Sequence, residues 1–549
     1  MKSNTGIKVR KPLDVLIRNG TIIDGSGNPA FHADIAIIDD RVVAMERLDN
    51  AEAAQVINAN GKIVAPGFID AHSHTDATVL YNPTLDSSIR QGVTTEIVGN
   101  CGNSFVPAVS VDSVQALKIN GIRPDGDVPC GSLGTFAAYL DKRGIRGNIA
   151  WLVGHNAVRS LAGVRGTRVT GSQIRQMQRT ISEAMADGAL GLSTGLEFEP
   201  GRLATTDEID HLMQPVAAED GIYTSHIRNR DSDLSKAMDE FMHIIKTART
   251  RGQVSHLNVR YNTGASDQAW EQAVAAIEKV RREGFDVLAD ITPLTHGLGQ
   301  MSGILPPWIR TGNASQTAEQ LKDPEIRARL RCECDRYWRF IHRGDWYRVS
   351  VQSNPAFPDI NGLSFPEIAS RWDKDPWDCY FDILAQAGEA LDGVTLIGEL
   401  FTDAFTHQAI ANPLLMLTSD GYSTRTDGKL AEQSLFPVHF MGMVHYLIHF
   451  VRETKTLTLT EAIRKMTGMP ASQFRLADRG LLKPGFVADL VVFDFERLHS
   501  DSSFARPLFY PQGIEHVLVN GVPVICQNEP TEAMPGRNLL RRSGSSWAS

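Results

Sequence analysis

Residues able to ligate a metal recur at matching places along the chain. His72 and His74 stand two apart at the end of IVAPGFIDAHSH, Cys101 closes TTEIVGNC, His226 closes GIYTSH, His256 closes GQVSH and Asp420 closes PLLMLTSD. A further candidate, His155, closes NIAWLVGH. Imidazole, thiolate and carboxylate form a mixed donor set that suits Zn2+. Side chains two apart on a strand share a face, so His72 and His74 are able to point the same way. An ion held there would activate water for attack on a carbonyl. Each residue also has a plainer reading. An HxH pair occurs on ordinary surfaces, a lone buried thiol is usually inert, Asp before Gly favours a turn, and His155 reads equally as a satisfied core histidine. Recurrence at the same end of separate apolar runs is what favours a metal site.

Those runs belong to a larger pattern. Eight short apolar stretches, at 63–74, 94–101, 148–155, 188–195, 221–226, 252–256, 284–290 and 413–420, alternate with helical segments. TTDEIDHLMQPVAAED carries a capping box from Thr205 to Glu208. SDLSKAMDEFMHIIKTARTRG and SDQAWEQAVAAIEKVRREG both run to a glycine that suits a helix stop. Eight strands alternating with helices predict an α/β protein built on a (β/α)8 TIM barrel over 66–479, whose active site sits at the C-terminal strand ends. The stretch 296–375 is too long for an ordinary loop. It reads as an insertion before the last strand that covers the barrel mouth, with Trp308, Trp338, Phe340 and Trp346 either lining the entrance or forming a satellite core. Residues 1–65 and 480–535 alternate as strands do, with Asn-Gly turns at Asn19-Gly20, Asn60-Gly61 and Asn520-Gly521. They predict one small β-sandwich domain made from both ends, followed by a loose tail.

The composition excludes several classes. Of 549 residues, 42% are hydrophobic and 22% charged, which is ordinary for a folded globular chain. The 55 basic and 64 acidic residues leave a net charge of −9, which disfavours nucleic acid or anionic membrane as a partner. No apolar run spans a bilayer. The start lacks a signal-peptide core. The six cysteines contain no CxxC pair, so a reducing, cytoplasmic setting is expected. A homo-oligomer is left open.

The motifs VAPGFIDAHSHTD, QGVTTEIVGNCGNS, LVGHNAVR, GALGLSTGLEFEPG, TSHIRNR, VSHLNVR, LLMLTSDG and KMTGMPASQFRLADRGLLKPGFVADLVVFD extend the pattern over 14–525. Together they resemble the amidohydrolase superfamily, and within it the D-aminoacylase, or N-acyl-D-amino-acid deacylase, group. The resemblance implies a barrel plus a small β domain and one or two zinc ions, with Cys101 in the place where many superfamily members carry a carboxylated lysine. It implies that Cys101, His226 and His256 form the tighter zinc site and that His72, His74 and Asp420 form the second. It also implies hydrolysis of a linear amide, with Asp420 as general base and then acid.

Substrate recognition departs from the group. Where the resembling enzymes carry a lysine after the sixth-strand histidine, this chain has Asn258. Their YPYT is matched by ITPLT, which places Leu294 where the second tyrosine would be, and GYSTRTDGKLAEQSLFPVHF contains no HPR segment. All three substitutions remove groups that hold a substrate carboxylate in those enzymes. His155, Arg228, Asn258, Leu294 and Arg425 are the candidate substrate contacts, and Arg230 and Arg260 are further cations near strand ends. The expectation is a small-molecule amidase with altered specificity. A carbamate hydrolase of the same superfamily is the alternative, and a non-catalytic scaffold the remote one.

Overall fold

The computed structural model describes residues 12–106, 128–129, 131–197, 199–310, 312–333, 338–354, 356–432 and 434–541. Cys130, Cys334 and the tail beyond Arg541 lie outside them. No helix among the described residues is long and apolar enough to cross a membrane.

The chain opens with β1 (Leu13–Ile22), β2 (Phe31–Ile38), β3 (Arg41–Glu46), β4 (Ala53–Asn58) and β5 (Ile63–Pro66). The apolar runs follow as β6 (Phe68–Asp70), β7 (Val93–Val98), β8 (Asn148–Trp151), β9 (Val153–Gly154), β10 (Gly191–Gly195), β11 (Ile222–His226), β12 (Arg251–Val254) and β13 (Val287–Ile291). Next come β14 (His296–Gln300), β15 (Val349–Ser353), β16 (Thr395–Glu399) and β17 (Leu415–Leu417). The chain closes with β18 (Leu490–Phe493), β19 (Ile514–Val519), β20 (Val522–Cys526), β21 (Glu529–Pro530) and β22 (Asn538–Leu539).

Both ends of the chain meet in one sheet. β5 pairs antiparallel with β18, from Ile63 opposite Phe493 to Pro66 opposite Leu490. The hydrogen-bond path runs β21-β20-β19-β18-β5-β1-β2-β3 with β4 on β1, so both ends of the chain share one sheet of nine strands. It stays continuous because β1 holds β4 along its first half and β5 at its end. Of the three Asn-Gly pairs, only Asn520-Gly521 turns a hairpin, between β19 and β20 with φ of 49° and 80°. Asn19-Gly20 instead sits inside β1, where the register with β2 shifts between Ile17 and Gly20. A Cβ on Gly20 would meet Val64 Cγ2 at 2.6 Å, so the glycine serves close strand approach rather than a turn. Asn60-Gly61 does turn the chain, but the strands it joins pair with β1 and not with each other.

The eight apolar runs are parallel strands. β9, β10, β11, β12, β13 and β17 form one sheet, and β6, β7 and β8 form another with β22. The two sheets are joined at both edges. Leu152 N donates to Val98 O at 2.9 Å and Leu190 N to Trp151 O at 2.7 Å. At the other edge Asp420 N donates to His72 O at 3.0 Å, and Ser73 bridges Gly421 in parallel. Strand side chains alternate between two clusters. Ile69, Ile97, Leu152 and Met416 face one another with Phe474 and Leu476, while Phe68, Val98, Trp151 and Leu417 face the surrounding helices.

The helices start where the chain supplies caps. Thr170 and Gln173 complete a capping box on Gly171–Ala186. Thr205 caps Thr206–Ala218 by accepting from Glu208 N, but the Glu208 carboxylate does not return the bond and points inward to His155 and Arg159. Leu234–Ala248 stops at Arg249, in left-handed conformation, before the expected Gly252. That glycine is already in β12, where a Cβ would meet Ile245 Cδ1 at 2.6 Å. Ala269–Arg282 ends just before Gly284, at φ 94°.

Between β13 and β17 the chain builds a unit with its own antiparallel sheet, β14-β16-β15. Its apolar core runs from Met301 to Phe401, so the packed unit extends well beyond 375. Trp338, Phe340 and Trp346 are buried in that core, and Trp308 packs against it. They form a satellite core and do not line an entrance. The tail is anchored at its start, because Asn538–Leu539 lies parallel to β8 and Trp151 Nε1 donates to Asn538 Oδ1 at 2.9 Å.

Candidate active site

At the C-terminal ends of the parallel strands, four side chains converge. One donor atom each from His72, Cys101, His256 and Asp420 lies within 4.8 Å of the others. Cys101 Sγ stands 3.3 Å from His72 Nε2, 3.3 Å from His256 Nε2 and 3.8 Å from His226 Nδ1. His226 Nδ1 and His256 Nε2 are 3.0 Å apart. Asp420 Oδ1 is 3.3 Å from His72 Nε2 and 3.2 Å from His74 Nε2, which adds the second histidine of the HxH pair to the group. Distances between ligand atoms of this order, from a thiol, imidazoles and a carboxylate, are what a site for a zinc-like ion requires.

Local backbone geometry aims these groups. Cys101, His256 and Asp420 have φ of 53°, 32° and 51°, in the left-handed region that side chains other than glycine seldom adopt. Each lies just past the end of its strand, where the reversed turn swings the side chain back over the strand ends. Strain of this kind, on the order of 1–3 kcal/mol per residue, persists where surrounding structure enforces it. Gly102, at φ 73°, continues the turn after Cys101. A Cβ there would stand 2.7 Å from Gly195 N.

A buried outer layer holds the cluster. Glu197 Oε2 accepts from His226 Nε2 at 2.7 Å, and the same carboxylate takes both arms of Arg260, at 2.6 and 2.5 Å. Asp290 Oδ1 accepts from His256 N at 2.6 Å and lies 3.4 Å from His72 Nδ1. Such partners fix the orientation of ligand rings. Neither acid was among the expected site residues. Asp290 ends the seventh apolar run and could have been marked by the same rule that marked the other strand ends. Glu197 lies inside GLSTGLEFEPG with no spacing that sets it apart.

Burial opposes charge throughout the cluster, and mutual pairing overrides it at Cys101, Asp420 and Glu197. The imidazoles of His72 and His256 hold the Cys101 thiol well below its usual range despite desolvation. Burial likewise opposes ionisation of Asp420, but His72 and His256 keep its carboxyl below the usual range. Arg260 does the same for Glu197. Cys101 and Asp420, and His256, whose ring burial and Arg230 push down to about 4, are thus favoured in the deprotonated forms that bind metal. Despite burial, the Cys101 and Asp420 charges raise His72 well above the usual imidazole range and His74 to about 10, so an ion entering beside them must displace their protons.

A cavity of about 580 Å3 opens above the cluster. His74, Cys101, His226, His256 and Asp420 form its floor, and residues of the unit between β13 and β17 supply much of its wall. Of the expected substrate contacts, Asn258 and Leu294 line it. Asn258 Nδ2 donates to Thr292 Oγ1 at 3.3 Å, and its Oδ1 has no hydrogen-bond partner among the described residues. The other expected contacts lie elsewhere. His155 is fully buried, with Nε2 2.9 Å from Glu208 Oε1, in a structural group with Arg159. Arg228 is committed to Glu240, at 2.8 Å, and to the carbonyls of Arg202 and Ala204. Arg425 is half-exposed beside Asp86 and Asp427. Sequence position near a strand end did not separate these residues from the cavity wall, because side-chain direction after the strand decides which group faces in.

The family model described as "Amidohydrolase family" matches residues 55–299 and 410–525. The chain belongs to the amidohydrolase family. This amidohydrolase is 32% identical over 540 residues to an N-acyl-D-glutamate deacylase of Alcaligenes xylosoxydans xylosoxydans, with 98% of each chain covered. It is 30% identical over 541 residues to a D-aminoacylase of the same organism, covering 97% of this chain and 98% of that one. The crystal structure of N-acyl-D-glutamate deacylase from Bordetella bronchiseptica, complexed with zinc and a phosphonate mimic of the tetrahedral intermediate, matches with a TM-score of 0.79 at 29% identity, covering 96% of this chain and 100% of that one. The amidohydrolase is thus a D-aminoacylase-like hydrolase of carbon–nitrogen bonds other than peptide bonds.

Proposed function

We propose that the chain is a zinc-dependent hydrolase of linear N-acyl amides, with its eight parallel strands closed into a (β/α)8 barrel and its site at their C-terminal rim. The joined sheet edges support the closure. The observation that carries the function is the convergence of His72, Cys101, His256 and Asp420 beneath a substrate-sized cavity. Cys101, His226 and His256 would hold one ion, with His72, His74 and Asp420 available to a second. When bound, zinc supplies an activated water and Lewis acidity toward a carbonyl oxygen.

The protein's own groups account for the proton. Asp420 Oδ1 is engaged by His72 and His74, which leaves Oδ2, 4.0 Å from His256, facing the cavity. That oxygen takes a proton from the attacking water and returns it to the leaving amine. His72 and His74 hold the carboxylate in place while it does so.

Specificity differs from that of a carboxylate-binding deacylase. Among the described residues, three arginines line the cavity, and each already has an acceptor. Arg202 pairs with Glu199 at 2.7 Å, Arg310 with Asp392 at 2.9 Å, and Arg230 bonds His256. A substrate carboxylate would compete with these acceptors for each guanidinium, which weakens its hold there. The test is a panel on zinc-loaded protein, comparing N-acetyl-D-amino acids with neutral amides. Preferential turnover of the neutral amides is expected, and efficient turnover of N-acetyl-D-glutamate or N-acetyl-D-methionine would refute the specificity.

A further inference from the structure

An arm from the C-terminal part of the nine-stranded sheet reaches the cavity rim. His499 and Gln512 close its base with two backbone hydrogen bonds, at 3.0 and 2.8 Å. A tight turn closes its tip, where Ser503 N donates to Arg506 O at 3.0 Å and Arg506 N to Ser503 O at 3.1 Å. Ser502 Oγ bonds Pro507 O at 2.7 Å across the arm. Its flank is fixed to the parallel-strand region, because Tyr510 OH accepts from Thr426 N at 3.2 Å and the Tyr510 ring lies beneath Arg90. The arm is therefore a built element rather than a loose loop.

The turn presents Phe504. Its ring centroid lies 4.2 Å from that of His296 and 6.0 Å from that of Phe436, and both of those residues line the cavity. Phe504 nevertheless remains 43% exposed, and nearby Leu298 is 36% exposed. Leu294, Leu298, Leu400, Phe401, Phe436 and Val438 give the same cavity, whose lining includes the ligand cluster, an apolar part. Burial pushes His296 down to about 4, so the ring against Phe504 is neutral at ordinary pH. An exposed aromatic beside an apolar lining gains by being covered.

We propose that Phe504 is a specificity-determining residue that receives the apolar end of the substrate, so that this enzyme acts on neutral amides bearing a long alkyl or aryl group. The inference rests on the amidase reading above. The apolar group can belong to the acyl or the amine side, and the experiment separates the two. Initial rates of the zinc-loaded full chain are measured on N-octanoyl- against N-acetylglycinamide, and on acetanilide against N-methylacetamide. Each is compared among the unsubstituted protein, Phe504→Ala, Phe504→Leu and Phe31→Ala, the last removing a comparably exposed ring on β2. Phe504→Ala is expected to lose about tenfold in kcat/KM, chiefly through KM, on the octanoyl substrate or on the anilide. It should leave the short amides unchanged. Phe504→Leu is expected to recover most of the loss, and Phe31→Ala to show none. Equal losses on long and short amides, or no loss on any, would overturn the role of Phe504 while leaving the amidase reading intact. Absence of turnover of every amide by the unsubstituted enzyme would overturn both.

Discussion

Arg230 Nη1 donates to His256 Nδ1 at 2.9 Å and to the same residue's carbonyl oxygen at 3.0 Å. A guanidinium has no acceptor, so Nδ1 must present its lone pair to Arg230. The ring is thereby held at two points, with Nε2 directed at the Cys101 thiol. Arg230→Met removes both bonds and frees the ring to rotate. A neutral ring bonded in this way carries its proton on Nε2, the nitrogen an ion would need. Zinc affinity, measured by competition with a chromophoric chelator, is therefore expected to rise when Nδ1 is released to carry that proton. Unchanged or lower affinity would show that the contact does not set the ring's tautomer.

Asp420→Asn keeps the shape of the side chain and removes its basicity. Zinc content at the Cys101, His226 and His256 group should stay near that of the unsubstituted protein. Turnover should fall by on the order of 10² to 10⁴, the span a positioned general base supplies. Measuring both on one preparation separates lost chemistry from lost metal, and near-normal turnover would remove Asp420 from the proton-transfer role.

Glu197→Ala leaves Arg260, 1% exposed, without its two-armed partner and His226 without its acceptor. Removing one member of a buried ion pair costs about 3–5 kcal/mol. A clear drop in melting temperature is expected in metal-free as well as zinc-loaded protein. If only the zinc-loaded form were affected, Glu197 would act on the metal and not on the fold.

Lys465 gives a pH signature remote from the site. Its ammonium group is buried against the carbonyl oxygens of Ile410, at 2.5 Å, and Asn412, at 2.6 Å. Burial pushes its pKa down to about 7, with Glu461 opposing that shift. The unfolded chain, with a lysine pKa of about 10.4, binds more protons than the folded one between these values. Stability should therefore rise with pH from about 7 toward about 10, and Lys465→Met should abolish that component. Urea titrations of both proteins across the range check the slope. Parallel pH dependences would show that the amine stays charged when folded.

Much of this architecture can be read from residue order, and the reasons differ by element. The buried parallel strands advertise themselves as short apolar runs, and the ligands stand at their ends because that is where the backbone leaves the sheet. Asn19-Gly20 misleads because glycine answers two needs, a turn or a close approach, and only the neighbouring Val64 tells them apart. His155 and Arg228 mislead because a strand-end position does not encode direction. Glu197 and Arg260 are separated by 63 residues and meet only in space. The left-handed conformations of Cys101, His256 and Asp420 leave no compositional mark, since none of the three is a glycine.

The short β22 has a consequence for how the molecule is made. Asn538 and Leu539 occupy the pairing edge of β8, and Arg541 N bonds Gly188 O at 2.8 Å, beside the start of β10. Trp151 waits 387 residues for the asparagine that satisfies its indole. The edge of β8 ahead of its join to β10 is therefore completed only once the far end of the chain has been synthesised.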